Sequence, residues 1–278
     1  MTATAQVAAR AGQHGPPPAG RSGFGGALLS EFTKIRSVRS TYWTLLALVV
    51  VTVGMGALAC AGSASRPADA RGPGWDPTFH SLLGLIIGQL IIAVLGALTI
   101  TSEYSTGMIR TSLTVQPRRG TLFAAKAVVF ALVSLVTGLV AAFASFFIGQ
   151  AILSGHHLGA SLSQPHVLRA VIGAGLFLAV SGLLAFGLGA LLRSTAAAIS
   201  VAIGLLFVVT ILVDFLPSSW QDHVDKWIPF NAGSRVWSAV APPPGAHLLS
   251  AWTGFAVFAA YAAVAVAAGL LVFRTRDA

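Results

Sequence analysis

Six apolar stretches, at about 43–61, 79–101, 127–153, 168–192, 196–216 and 249–273, constrain this chain more than any other feature. Each is long enough to cross the hydrocarbon core of a bilayer as a helix. Lipid offers backbone N–H and C=O groups no partners, so the segments must be helical. The fourth and fifth stretches are separated only by Arg193-Ser194-Thr195. Together they are more than twice one crossing, so they read as two spans joined by a tight basic turn. Only 9% of the 278 residues are charged, far below the quarter or so of a soluble domain. The fold class is therefore all-α: an integral membrane protein with six transmembrane helices at 27–278, preceded by a disordered, Ala/Gly/Pro-rich tail at 1–26.

The basic residues sit in short clusters beside the apolar runs, as the positive-inside bias predicts. With both termini cytoplasmic, the inner side holds twelve basic and three acidic residues, net +9, against five and five outside. Nucleic-acid binding, which needs the cations on one soluble face, is not expected. Cys60 is the only cysteine, so no intrachain disulfide or cysteine-rich metal site is possible.

Three regions carry more than a span requires. Residues 26–41 place Leu28, Leu29, Phe32 and Ile35 at helical spacing, with Glu31, Lys34, Arg36 and Arg39 pointing elsewhere. This predicts an N-terminal amphipathic helix in the cytoplasmic interface, its cations among anionic headgroups and Tyr42-Trp43 at the boundary. The loop 103–126 predicts a short helix capped by Thr106 and stopped by Pro117, with Met108, Ile109, Leu113, Leu122 and Phe123 exposing more apolar surface than a passive loop needs. Lys126 would snorkel back from the third span. In the outer segment 217–247, Trp220, Val224, Trp227 and Ile228 share one helical face, predicting a helix in the outer headgroup zone. The outer histidines His156, His157 and His166 form a weak candidate metal group without a nearby carboxylate.

SEFTKIRSVRSTYWTLL before and into the first span, TSEYSTGMIRTSLTVQPRRGTLFAAK after the second, and the six-span layout resemble permease subunits of ABC-2 type ABC transporters, over about residues 27–276. The resemblance implies a permease subunit of an exporter in the plasma membrane, forming the substrate pathway as a dimer with a second copy or a paralogous permease. It also implies a separate cytoplasmic ABC ATPase as partner, with ATP on that partner and no cofactor in this chain. On that pattern Glu103, Met108, Ile109, Arg110 and Leu113 form the ATPase-coupling loop. Met108, Ile109 and Leu113 would pack against the partner, and Glu103 and Arg110 would supply polar contacts. Phe32, Lys34, Ile35, Arg36 and Arg39 belong to the interfacial helix, and Trp220, Val224 and Trp227 to the outer amphipathic segment.

No G-x-x-x-x-G-K-[ST] phosphate loop occurs, so the chain is not expected to be an enzyme. The alternatives are a gradient-driven secondary transporter, which would place ionisable residues at mid-depth, and a membrane-embedded enzyme, which would cluster His, Asp or Glu at one face.

Overall fold

The computed structural model describes residues 23–66, 74–115, 118–240 and 248–275, without the side chains at 110, 113, 115, 218 and 222. Residues 1–22 of the expected tail lie outside it, as does Pro117. Among the described residues there is no strand, and six helical segments are long and apolar enough to cross a membrane. The first helix, α1 (Phe24–Ser37), is followed by the first span, α2 (Arg39–Ala64). The second span is bent, with α3 (Pro77–Leu82) leading into α4 (Leu85–Ser105). A short helix α5 (Met108–Val115) precedes the third span, α6 (Arg119–Ser154). The fourth span is α7 (Val167–Leu192). The fifth comprises α8 (Thr195–Ile203), a π turn at Gly204–Val208 and α9 (Val209–Val213). After α10 (Ser218–Val224) and α11 (Pro229–Ser234) the last span is α12 (Ala251–Thr275).

The helix α7 is the most enclosed span and packs against α4, α6 and α12. Its glycines make that possible. A Cβ on Gly187 would lie 2.5 Å from the backbone of Ala265 in α12, and one on Gly175 would lie 2.6 Å from Leu139 in α6. Across the α4–α7 seam, a Cβ on Gly96 would strike the carbonyl of Gly182. Close approach of backbones through small residues substitutes for the hydrophobic driving force that lipid does not supply. Three further glycines behave this way. Gly84 and Gly88 abut Thr52 of α2, and Gly189 abuts Ile100 and Ala97 of α4.

The expected turn between the fourth and fifth spans is present. Arg193 ends α7 in a left-handed conformation (φ 53°), its N–H bonded to the Gly189 carbonyl. Ser194 then caps α8 through a bond from the Ala197 N–H. The Arg193 guanidinium lies over the Tyr104 ring, 5.1 Å from its centroid.

At the opposite end of the bundle, one acidic side chain holds two segments together. Asp76 Oδ1 accepts from the N–H groups of Thr78 and Phe79, capping α3, while Oδ2 accepts from those of Ala239 and Val240. Four amides therefore converge on a buried carboxylate. Beside it, fully buried Trp237 stacks on Phe79 at 4.8 Å between ring centroids and an interplanar angle of 7°.

Candidate functional site

The chain contains two glutamates, Glu31 and Glu103, and three lysines among its 17 basic residues. Both glutamates and two of the lysines, Lys34 and Lys126, meet at one point. Lys126 Nζ lies 2.5 Å from Glu31 Oε2 and 2.7 Å from Glu103 Oε1. Lys34 Nζ lies 2.7 Å from Glu31 Oε1, 3.2 Å from Glu103 Oε1 and 3.2 Å from the Ser112 hydroxyl. Glu31, Glu103 and Lys126 are buried, whereas the Lys34 side chain is 31% exposed.

Each member comes from a different element, apart from the i,i+3 pair Glu31 and Lys34 on α1. Glu103 ends the second span, Ser112 lies on α5, and Lys126 lies two turns into α6. A buried charge is tolerated only when paired and hydrogen-bonded. Here two carboxylates and two ammonium groups cancel. Burial by itself would pull the Lys34 pKa down. The hydrogen bond to Glu31 and the charges of Glu103 and Glu31 outweigh it, holding the group above the ordinary lysine value of 10.5. A raised lysine pKa stabilises the fold below 10.5, and the contribution is lost only as pH rises through the higher folded value. Lys34 therefore stays charged at neutral pH.

This arrangement corrects several sequence expectations. Lys34 does not reach for headgroups; it turns inward because Glu31 and Glu103 offer it stronger partners than water at the interface. Lys126 does not snorkel to the surface either. Glu103 is buried, with Oε1 accepting from both lysines, and is not displayed at the surface. Ile109, Leu122 and Phe123 are buried and belong to the core, so they are not displayed for docking. Thr106 does not cap α5. It ends α4, with its hydroxyl on the Ser102 carbonyl, and Gly107 (φ 70°) makes the turn into α5.

Other expected residues do face outward. Met108 is 48% exposed, as is Phe32, and Arg36 and Arg39 are exposed. Ile35 is half-buried and lines a cleft beside the cluster. The side chains of Arg110 and Leu113 lie outside the described residues.

The outer segment is not one helix. α10 ends at Val224, and Asp225–Trp227 forms a tight turn before Pro229 opens α11. Trp220, Val224 and Trp227 remain exposed, but the break takes Ile228 into the core instead of onto their face. Gln221 folds back to donate to the carbonyls of Val213, Asp214 and Leu216, closing the end of the fifth span. His156, His157 and His166 are exposed, and among the described residues no three potential metal ligands converge.

Glu31 and Lys126 were not among the expected site residues. A signal for them was available: in a chain whose cations are mostly arginine, Lys34 lies beside Glu31 before the first span, and Lys126 and Glu103 bound the same connection between the second and third.

No curated protein matches the chain. A family profile described as "ABC-2 family transporter protein" matches residues 27–212. The match takes in α1, the charge cluster, α5 and the first five spans. The chain thus belongs to the ABC-2 family of transporter proteins, as a membrane-spanning permease.

Proposed function

We propose that this permease is the membrane subunit of an exporter, working as a dimer in the cell membrane with both termini cytoplasmic and driven by a separate ABC ATPase docked at the end of the bundle that carries α1 and α5. The observation that carries this reading is the charge cluster. It joins α1 and α5 to the last turn of the second span and the start of the third. A displacement imposed on α5 is thereby passed to two spans without deforming either helix. The charge asymmetry of the sequence supports a cytoplasmic location for this end. Exposed Met108 and Phe32 supply the apolar anchors that such a contact needs.

The ATPase encoded beside this chain's own gene, where one with a phosphate loop is present, is the partner to test. Met108→Asp, which places a charge in the proposed contact without touching the core, should abolish co-purification or uncouple ATP hydrolysis from transport. Undiminished binding and transport by a stably inserted Met108→Asp/Phe32→Asp variant would refute docking on this surface.

A further inference from the structure

At the end of the bundle away from the charge cluster, two arginines are brought together without an acid. Arg169 lies in the first turn of α7, and Arg235 opens the tight turn Arg235–Trp237 that follows α11. That turn is seated on α7. Val236 and Trp237 are fully buried, and a Cβ on Gly173 would lie 2.7 Å from the Val236 carbonyl oxygen. Arg169 reaches the same segment, its Nη2 donating to the Ser238 carbonyl at 2.9 Å. The next two amides, of Ala239 and Val240, are held by Asp76. The backbone that carries both guanidinium groups is therefore fixed.

Nothing in the described chain neutralises them. Among the described residues Arg235 has no hydrogen-bond or ion-pair partner, and Arg169 has only the Ser238 carbonyl. Both oxygens of Asp76 are taken by amides. The two arginines are half-buried, each with an enclosed, unpartnered Nε, while the terminal nitrogens are not enclosed. Burial, and after it the charge of Arg169, pull the Arg235 pKa below the ordinary arginine value of 12.5. An arginine nevertheless stays protonated at physiological pH. The first turn of α7 has no acidic residue and no side-chain cap, so its amide ends add positive potential at the same place. At the charge cluster every ammonium has a carboxylate. Here two positive charges are held half out of water with no counter-charge, which is unfavourable. The group that matches them is an anion.

Shape and surroundings decide which anion. A carboxylate offers two oxygens in one plane, enough for one guanidinium fork. A phosphate offers oxygens in a tetrahedral array, which two forks from different elements can share. Beside Arg169, Leu168 and Ile172 are exposed apolar side chains one turn apart on α7. They lead from the level of the arginines into the span, where an acyl chain would lie. We propose that Arg169 and Arg235 form a site for a phosphate group of net negative charge, carried by an anionic phospholipid whose acyl chain follows Leu168 and Ile172. A headgroup ammonium would return a positive charge to a site that already has two, so a zwitterionic lipid is disfavoured. The site lies at the opposite end from α1 and α5 and stands whether or not an ATPase docks there.

The test uses native mass spectrometry of the full chain in nonionic detergent, with dioleoylphosphatidylglycerol, dioleoylphosphatidylcholine and oleate as probes. One phosphatidylglycerol should bind saturably, about tenfold or more tighter than either other probe. Arg235→Gln, which breaks no hydrogen bond or ion pair of the described fold, should weaken that binding about tenfold. Arg39→Gln, at an exposed arginine of the other end, should leave it unchanged, and tryptophan-detected unfolding should show Arg235→Gln to be as stable as the parent. Inorganic phosphate and glycerol phosphate separate the sources. Phosphatidylglycerol that persists in a roughly hundredfold excess of either identifies a bilayer lipid. Displacement at comparable concentration overturns the lipid and assigns the site to a dissolved phosphate. Equal binding of phosphatidylglycerol and phosphatidylcholine, which needs no variant to read, overturns the proposal. So does oleate that binds as tightly, or phosphatidylglycerol binding that Arg235→Gln leaves unchanged.

Discussion

Replacing Lys126 by methionine isolates the energetics of the cluster. The side chain is 4% exposed and bridges Glu31 at 2.5 Å and Glu103 at 2.7 Å. Without it, two buried carboxylates face each other with Lys34 as their only cation, and the site carries a net negative charge. Breaking a buried ion pair from one side costs about 3–5 kcal/mol. For a chain of this size that is a fall of roughly 10 °C in Tm. Adding Glu31→Gln to Lys126→Met leaves the neutral pair Lys34 and Glu103, so the double variant should be more stable than Lys126→Met alone. The non-additivity should be on the order of 2 kcal/mol or more, as expected for residues in direct contact. Tryptophan-detected thermal unfolding in detergent measures Lys126→Met, Glu31→Gln and the double variant against the parent. A Lys126→Met loss below about 1 kcal/mol, the range of surface pairs, or simple additivity in the double variant, would refute the cluster as a buried, charge-balanced unit.

Other outcomes follow from separate parts of the molecule. Gln89 is fully buried in the second span with neither amide atom hydrogen-bonded, so Gln89→Leu should raise stability by about 1–3 kcal/mol, read as an increase in Tm; a decrease would mean the amide has a partner in the assembled transporter. Asp76→Ala removes the acceptor of four backbone N–H groups and should cost several kcal/mol, with the outer segment 217–240 becoming the first site of limited proteolysis. In a Cys60→Ala background, cysteines at exposed Thr114 and Ser163 should react from opposite sides of the membrane with an impermeant thiol reagent, only Ser163→Cys labelling in intact cells. Burial raises the Asp225 pKa, partly offset by the hydrogen bond from Asn231 and reinforced by Asp214. Its ionised form therefore weighs against the fold as pH rises through that raised value, and Asp225→Asn should stabilise the protein at neutral pH but not in strong acid.

The six spans were legible because their signal is additive: twenty apolar residues leave a bilayer-spanning helix as the only economical solution. The observed boundaries extend several residues past the apolar runs at Arg39, Ser105 and Arg119, since a helix continues wherever its backbone can close bonds, whatever the polarity of its side chains. The site was less legible. Periodicity placed Glu31 off the apolar face of α1, and on an isolated interfacial helix the polar face meets water. In the folded chain that face meets Glu103 and Lys126, and polar-out becomes polar-in. Nothing local to residues 26–41 encodes that reversal, because the partners lie 69 and 95 residues away. Ile109 failed in the complementary sense: on an eight-residue helix a single apolar side chain is as readily inward as outward until the neighbouring elements are known.

The same reversal explains how α1 is held. Half of its apolar side chains, Phe24, Leu29 and Phe32, are exposed; Leu28 and Ile35 are half-buried and only Ala27 is buried. That partial burial contributes a few kcal/mol at most to holding a fourteen-residue helix against α6 and α2. The ionic contacts fix its position, with Glu31 reaching Lys126 on the third span and Lys34 reaching Glu103 on the second. An apolar seam could slide by a residue at small cost. Paired charges cannot, because each displaced member leaves a buried partner without compensation. A helix held in this way moves with the spans or breaks from them. On the proposed reading, that all-or-none attachment allows force applied to α1 and α5 at one face of the membrane to reach the second and third spans together.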